Sequence, residues 1–170
     1  LFYFLVLRSI KVRYVQSVLG VGWAMLQPFI TMIIFTLIFG KLAKIDSDGV
    51  SYAIFAYTAL VPWTYFSRSL TDATGSLTGN ISLLSKVYVP RLIMPLASVT
   101  SKLVDFAIAL SLVFGLMVWF RVPPTPWVVL LPVLVLLMVL TSLGWGAWLS
   151  TLAVQYRDVR YGLQFGIQLL

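Results

Sequence analysis

The stretch WVVLLPVLVLLMVLTSLGWGAWLSTLAVQY, which runs from Trp127 to Tyr156, contains no charged residue in thirty consecutive positions. A helix that crosses the hydrocarbon core of a bilayer needs about 20 predominantly apolar residues. The stretch is therefore predicted to cross a membrane as a helix. Four further stretches share this apolar character, the last of them cut short: Gly22–Gly40, Ser51–Ser67, Leu103–Phe120 and Tyr161–Leu170.

The basic residues fall into alternate gaps between these stretches. Nine of the twelve lysines and arginines lie before the first stretch, between the second and third, or after the fourth; the other two gaps hold only Lys41, Lys44 and Arg121. Because basic residues are retained on the cytoplasmic side of a membrane, this alternation predicts a cytoplasmic N-terminus. The predicted fold is an all-α integral membrane protein, a helical bundle with four complete spans and the start of a fifth.

Composition excludes most other classes of protein. The chain is 61% hydrophobic and 10% charged, far from the average of a water-soluble domain. Its net charge of +7 is spread between the spans, so we expect it to face anionic headgroups and not nucleic acid. The sequence has no Cys and no His, which removes disulfides, thiol nucleophiles and most zinc or haem sites. Without a phosphate-binding glycine loop or paired carboxylates, we expect no catalytic site, metal or cofactor in this chain.

Residues 1–20 carry too many charges to cross the membrane. Arg8, Lys11 and Arg13 alternate there with apolar residues and with Tyr14. We expect a cytoplasmic amphipathic helix that lies in the interface with its basic side chains toward the headgroups. The alternative is a juxtamembrane stop signal with no further role. Residues 21–170 would then form the transmembrane domain.

The third span poses a problem of length. As one helix, Leu92–Phe120 would measure about 43 Å, against a hydrocarbon core of about 30 Å. Counting about twenty residues back from Phe120 places Lys102 at the cytoplasmic edge and Asp105 one turn inside. The two residues share a helical face and can pair. We favour a snorkelling lysine that satisfies the aspartate; the alternative is a charge pair in a translocation path.

Prolines, glycines and small polar residues add local predictions. Pro28 and Pro62 lie inside spans and predict kinks, because proline cannot donate a backbone hydrogen bond. Gly144 and Gly146 predict a close helix contact. Residues 67–82 are rich in Ser, Thr, Gly and Asn and are predicted to form a flexible, non-spanning segment.

The first residue is not Met and the last lies inside an apolar run, so we expect a fragment of a protein with six spans.

Four stretches carry a more specific signal. The longest is IKVRYVQSVLGVGWAMLQP, from Ile10 to Pro28, and it is followed by Phe39-Gly40, LSKVYVPR (Leu84–Arg91) and YRDVRY (Tyr156–Tyr161). In this order they resemble the membrane, or permease, subunit of type-2 ABC transporters that export O-antigen, capsule or teichoic acid. The resemblance covers essentially the whole chain, and the first stretch is its most specific part.

The resemblance implies partners. Two copies would pair into a channel, and each would dock on a separate ATPase subunit that binds ATP and magnesium. Residues 1–20 would be the interface helix and residues 83–91 the coupling segment, with exposed Lys86 and Arg91 beside apolar Val87 and Val89 as its docking surface. The alternative is an ordinary amphipathic loop helix. The coupling residues are Leu84, Ser85, Lys86, Val87, Tyr88, Val89, Pro90 and Arg91.

The aromatic residues acquire a possible role in such an exporter. Sugars expose C–H faces that stack on aromatic rings, so a chain could slide along an aromatic lining. Interfacial anchoring or packing is the commoner role of aromatic residues in membrane helices. The candidates for a channel lining are Trp23, Tyr57, Trp63, Tyr65 and Phe66.

The resemblance makes ATP-driven export of lipid-linked polysaccharide across the bacterial cytoplasmic (inner) membrane the leading functional hypothesis. A type-2 ABC permease for a drug or lipid is the first alternative, although such permeases usually lack the opening stretch quoted above. A membrane-embedded transferase is the second. It would need a cluster of acidic or histidine side chains at the membrane face, whereas the five aspartates are scattered.

Overall fold

The computed structural model describes residues 2–15, 22–38, 51–84 and 89–169. Within these ranges the chain is helical and has no β-strand, which confirms the predicted all-α fold. A 3-10 turn at Pro126–Leu130 leads into the sixth helix. The helices are α1 (Phe2–Val15), α2 (Gly22–Phe35), α3 (Tyr52–Gly79), α4 (Ile81–Leu84), α5 (Ile93–Trp119), α6 (Leu131–Gln155) and α7 (Asp158–Leu169).

Two described helical stretches are long and apolar enough to cross a bilayer, Ile93–Trp119 and Pro126–Gln155. Only 6% of the most apolar window of the second is buried in the structure. The core helix of a water-soluble domain would be mostly covered, so this helix requires an apolar surrounding. Met25–Ile38 is a shorter apolar helix, and it ends in a π-helical turn over residues 36–38. The number of crossings stays a prediction.

Helix α3 is longer than the sequence predicts. Its 28 residues measure about 42 Å, and they include residues 67–79, for which the prediction of a flexible segment is wrong. The polar side chains of this part bond back into the helix: the hydroxyl of Thr71 donates to the carbonyl of Ser67 and that of Thr74 to Leu70, both at 2.8 Å. Such bonds make Ser and Thr compatible with a helix even though their composition is typical of a loop.

Helix α5 packs antiparallel on α3 and builds the main core with it. The Tyr57 hydroxyl donates to the carbonyl of Ala109 at 3.4 Å. Two turns further along α3, the Tyr65 hydroxyl donates to the carbonyl of Val99 at 3.5 Å, and its ring centroid lies 5.2 Å from that of Phe106. The partners move backward along α5 as α3 advances. Helix α5 begins at Ile93, ten residues before the predicted span, so residues 93–102 are helical as well.

Helix α6 runs parallel to α3 and touches it through small residues. A Cβ atom built on Gly146 would lie 2.5 Å from the Cβ of Ala73, so only glycine permits this approach. The predicted close contact is therefore confirmed for Gly146. It is not found at Gly144, where a built Cβ would meet no atom of the described residues within 4 Å. The buried small residues of the two helices include Ser69, Ala73 and Ser76 on α3, and Ser142, Gly146 and Ser150 on α6.

The ends of α3 and α6 and the start of α5 meet at one end of the bundle, together with α1 and α7. Helix α1 packs on α5, and its Leu5 joins Leu77 and Met94 in a small apolar cluster. Arg160 of α7 donates to the carbonyl of Gly75 in α3 at 3.4 Å. The parallel α3 and α6, with antiparallel α5 between them in sequence, fit the predicted alternation of crossings. By that prediction the shared end is cytoplasmic.

Candidate functional site

The coupling segment, residues 83–91, begins in α4 and ends two residues before the start of α5. Residues 85–88, which include Lys86, Val87 and Tyr88, lie outside the described part of the chain, as does the side chain of Leu84. Pro90 and Arg91 are exposed, and the carbonyl of Pro90 accepts a hydrogen bond from the first turn of α5 at 3.0 Å. The segment is thus joined to α5 without a linker.

Val89 differs from its predicted place on an exposed docking surface. It is only 7% exposed and packs in the same cluster as Leu77 and Met94. The physical reason is that α3 continues to Gly79, so Leu77 in its last turn packs against Val89. Val89 anchors the segment and leaves Arg91 as its described exposed cation.

The interface helix is partly described. The side chains of Arg8 and Lys11 on α1 are exposed, and those of Arg13 and Tyr14 lie outside the described residues. Arg8 lines a groove between α1, α3 and α5 that also includes Asp72 and Asn80. Helix α1 therefore packs on the bundle through Leu5 and places Arg8 at the edge of this groove, while Lys11 is exposed; its position in the membrane interface stays a prediction.

The predicted aromatic lining divides into two groups. Tyr57 is fully buried and Tyr65 nearly so, and both hydroxyls bond to carbonyls of α5. These two rings pack the core and do not lie on an exposed face, which differs from the prediction. Trp63 is 36% exposed, and its ring centroid lies 6.2 Å from that of half-buried Phe66. The Trp23 side chain lies outside the described residues.

Lys102 has a partner that the sequence analysis missed. Its ammonium lies 2.6 Å from a carboxylate oxygen of Asp72 on α3, with the two side chains 10% and 44% exposed. An isolated lysine inside a membrane helix costs about 2.5–3.5 kcal/mol, so this ion pair explains how the residue is accommodated. Asp72 was overlooked because it lies in the segment predicted to be flexible. A helical assignment would have placed it one turn after Arg68.

Arg68 of α3 and two charged residues of α5 line a small cavity beside α2. Arg68 donates to the side-chain amide oxygen of Gln27, next to Pro28. Lys102 and Asp105 line the same cavity, whose volume of about 20 Å³ suits about one water molecule. Lys102 and Asp105 thus belong to a larger set of polar residues on three helices, and their pairing with each other stays a prediction. Among the described residues, no group of Asp side chains has the arrangement of a metal site.

Comparison with known proteins places this bundle in a family. The whole chain, residues 1–170, matches the family described as ABC-2 type transporter. The chain belongs to the ABC-2 type transporter family. It is an all-α membrane protein, and the resemblance noted in the sequence is confirmed.

Three individual proteins are similar in sequence to this chain. The chain is 29% identical over 164 residues to the O-antigen export system permease protein RfbA of Klebsiella pneumoniae, covering 96% of this chain and 62% of the relative. It is 31% identical over 157 residues to the RfbA protein of Myxococcus xanthus, covering 92% and 60%. The polysialic acid transport protein KpsM of Escherichia coli is 30% identical over 79 residues, 46% of this chain and 31% of KpsM. The chain spans about three fifths of the length of the RfbA proteins.

Proposed function

We propose that this chain forms the transmembrane part of a permease subunit that exports lipid-linked polysaccharide across the bacterial inner membrane. The observation that carries the proposal is the alignment of 96% and 92% of the chain with two permeases named for O-antigen export. A third relative is named for polysialic acid transport. O-antigen and polysialic acid are both long polysaccharides, which favours this class of cargo over a drug or a simple lipid.

The energy would come from a partner. The family is that of ABC transporters, so we infer that a separate ATPase subunit binds ATP and magnesium and that two copies of the permease pair. The coupling segment begins in the last two residues of α4 and leads into α5, and its Val89 packs with Leu77 of α3 and Met94 of α5. A displacement of this segment would therefore be delivered to both α3 and α5 as a rigid-body movement.

The exposed aromatic pair supplies the remaining candidates for contact with cargo. Trp63 and Phe66 lie one turn apart on α3, and Trp63 is 36% exposed, so part of its side chain is available for stacking on a sugar. Tyr57 and Tyr65 would act only through packing.

Reconstitution tests the proposal. The intact subunit and its ATPase partner would be placed in proteoliposomes, and ATP hydrolysis would be measured with polyprenyl-diphosphate-linked polysaccharide, with phospholipid alone and with a hydrophobic drug. We expect the polysaccharide alone to stimulate hydrolysis and to be transported. Stimulation by the drug and not by the polysaccharide would contradict the cargo assignment.

A matched pair of variants tests the coupling segment. Lys86→Glu reverses a charge in the segment, while Lys44→Glu reverses one in the loop predicted to be outside. We expect Lys86→Glu to abolish association with the ATPase and Lys44→Glu to leave it intact. Equal association in both variants would contradict the coupling role of the segment.

A further inference from the structure

A groove opens at the end of the bundle where α3 and α6 finish and α5 begins. Its volume is about 640 Å³. One wall is formed by Leu77 and Ile81, a second by Arg91 and Pro95, and the third by α6 from Ala147 to Gln155. By the predicted topology this is the cytoplasmic end, so the groove lies where the headgroups of the inner leaflet meet the acyl chains.

The α6 wall of the groove is more apolar than its sequence suggests. The hydroxyls of Ser150 and Thr151 both donate to the carbonyl of Ala147, at 2.8 and 3.1 Å. Both hydroxyl donors are therefore satisfied within the helix. The two residues line the groove together with Val154. A hydrocarbon chain can lie along such a wall without leaving donors unsatisfied.

The mouth of the groove carries positive charge. Arg91 is exposed and is the charged member of the eleven described lining residues, none of which is acidic. A guanidinium binds a phosphate through two parallel hydrogen bonds. Basic pockets between membrane helices on the cytoplasmic side are typical binding places for anionic lipid headgroups. The charge at the mouth thus selects an anion that is attached to an apolar tail.

The depth of the groove matches one leaflet. From Gln155 to Ala147 the α6 wall extends about 12 Å along the helix axis, and half of a hydrocarbon core is about 15 Å. An acyl chain whose phosphate lies on Arg91 would therefore be covered for most of its length. The groove combines the charge, the wall chemistry and the length that a phospholipid of the inner leaflet requires.

We propose that this groove binds one anionic phospholipid, with its phosphate on Arg91 and an acyl chain along α6. The inference goes beyond export of a polysaccharide, because it requires only that the chain lies in a membrane. The lipid would fill the space between the ends of α3 and α6 and the start of α5, and so hold the coupling segment in place.

The test uses the intact subunit with its ATPase partner, purified in detergent and titrated with phosphatidylglycerol or phosphatidylcholine. Native mass spectrometry counts the bound lipids. We expect one phosphatidylglycerol per copy, bound about tenfold more tightly than phosphatidylcholine, the equivalent of one charge-assisted hydrogen bond. Arg91→Ala should remove this preference. Arg157→Ala, which removes an exposed basic residue at the same end but outside the groove lining, should keep it.

A second pair of variants tests the apolar wall. Thr151→Phe places a ring in the groove, whereas Thr141→Phe places the same ring on an exposed part of α6 outside it. We expect only Thr151→Phe to lose the tightly bound phosphatidylglycerol. Circular dichroism and an unchanged elution volume in gel filtration would show that both variants are folded.

Four outcomes would overturn the proposal. Equal losses in Arg91→Ala and Arg157→Ala would mean diffuse attraction to the basic surface. Tight binding that survives Thr151→Phe would place the lipid elsewhere. Replacement of phosphatidylglycerol by a polyprenyl diphosphate, one for one, would assign the groove to the cargo lipid. Absence of any bound phosphatidylglycerol would mean that a second copy or another part of the chain covers the groove. Failure of polysaccharide transport would leave the lipid measurement unaffected.

Discussion

Replacing Gly146 by Ala tests the contact on which the packing of α6 depends. The added methyl carbon would lie 2.5 Å from the Cβ of Ala73 and 3.8 Å from its Cα. Carbon atoms pack best at about 3.5–4.0 Å, so the two helices must separate by about 1 Å or tilt. Overpacking of this kind costs about 1–3 kcal/mol.

Gly144→Ala is the matched control. Both substitutions replace a glycine inside the same helix, and each gains about 1 kcal/mol of helix propensity. A methyl group at position 144 would meet no atom within 4 Å in the described part of the chain, so Gly144→Ala carries this gain without a clash there. The two variants should therefore differ in free energy of unfolding by about 1–3 kcal/mol, with Gly146→Ala the less stable.

Equilibrium unfolding in mixed micelles, followed by circular dichroism, measures this difference. Ala73→Gly removes the opposing methyl group, so adding it to Gly146→Ala should recover about 1 kcal/mol or more of the loss as a favourable coupling energy. Equal stability of the two alanine variants would refute the close contact. A double variant whose losses simply add would show that Gly146→Ala acts through some other neighbour.

Three further predictions concern the charge pair, the exposed aromatic ring and the topology. Lys102→Met should destabilise the subunit by about 1–2 kcal/mol, less than a fully buried pair would lose because Asp72 is half-exposed. Exchanging the two residues, so that Asp stands at 102 and Lys at 72, should recover part of this loss in the same unfolding assay. No recovery would count against the ion pair. Trp63→Ala should slow polysaccharide export severalfold at unchanged stability, because about 1 kcal/mol of stacking on the sugar would be lost. An unchanged export rate would show that Trp63 does not contact the cargo. Because the chain has no Cys, a single cysteine can be introduced as a reporter for a membrane-impermeant thiol reagent. Pro124→Cys should react from outside, and Ser85→Cys only after permeabilisation. Reaction of position 85 from outside would invert the topology.

The helical architecture and the relative directions of the helices could be predicted from the sequence. Long uncharged stretches such as Trp127–Tyr156 have few alternatives to a membrane helix, since a bilayer requires every backbone polar group to be satisfied within the segment. The alternation of basic gaps then orders the crossings. Both signals are averages over many residues, so they tolerate errors at single positions. The sequence predicted that Gly146 would make a close helix contact. It did not predict that the contact would be with Ala73 of α3.

The main errors share one cause, the assignment of residues 67–79 to a flexible segment. Composition argued for a loop, but the small and hydroxylated residues are there because α6 approaches α3 closely and because their hydroxyls bond within the helix. Once α3 ends at Gly79 instead of Ser67, Asp72 comes within reach of Lys102, and the last turn of α3 is in place to bury Val89. Because the predicted end of α3 lay too early in the sequence, neither the ion pair of Asp72 with Lys102 nor the burial of Val89 could be predicted. Residue types that favour loops in water can form a helix where a second helix packs closely against them.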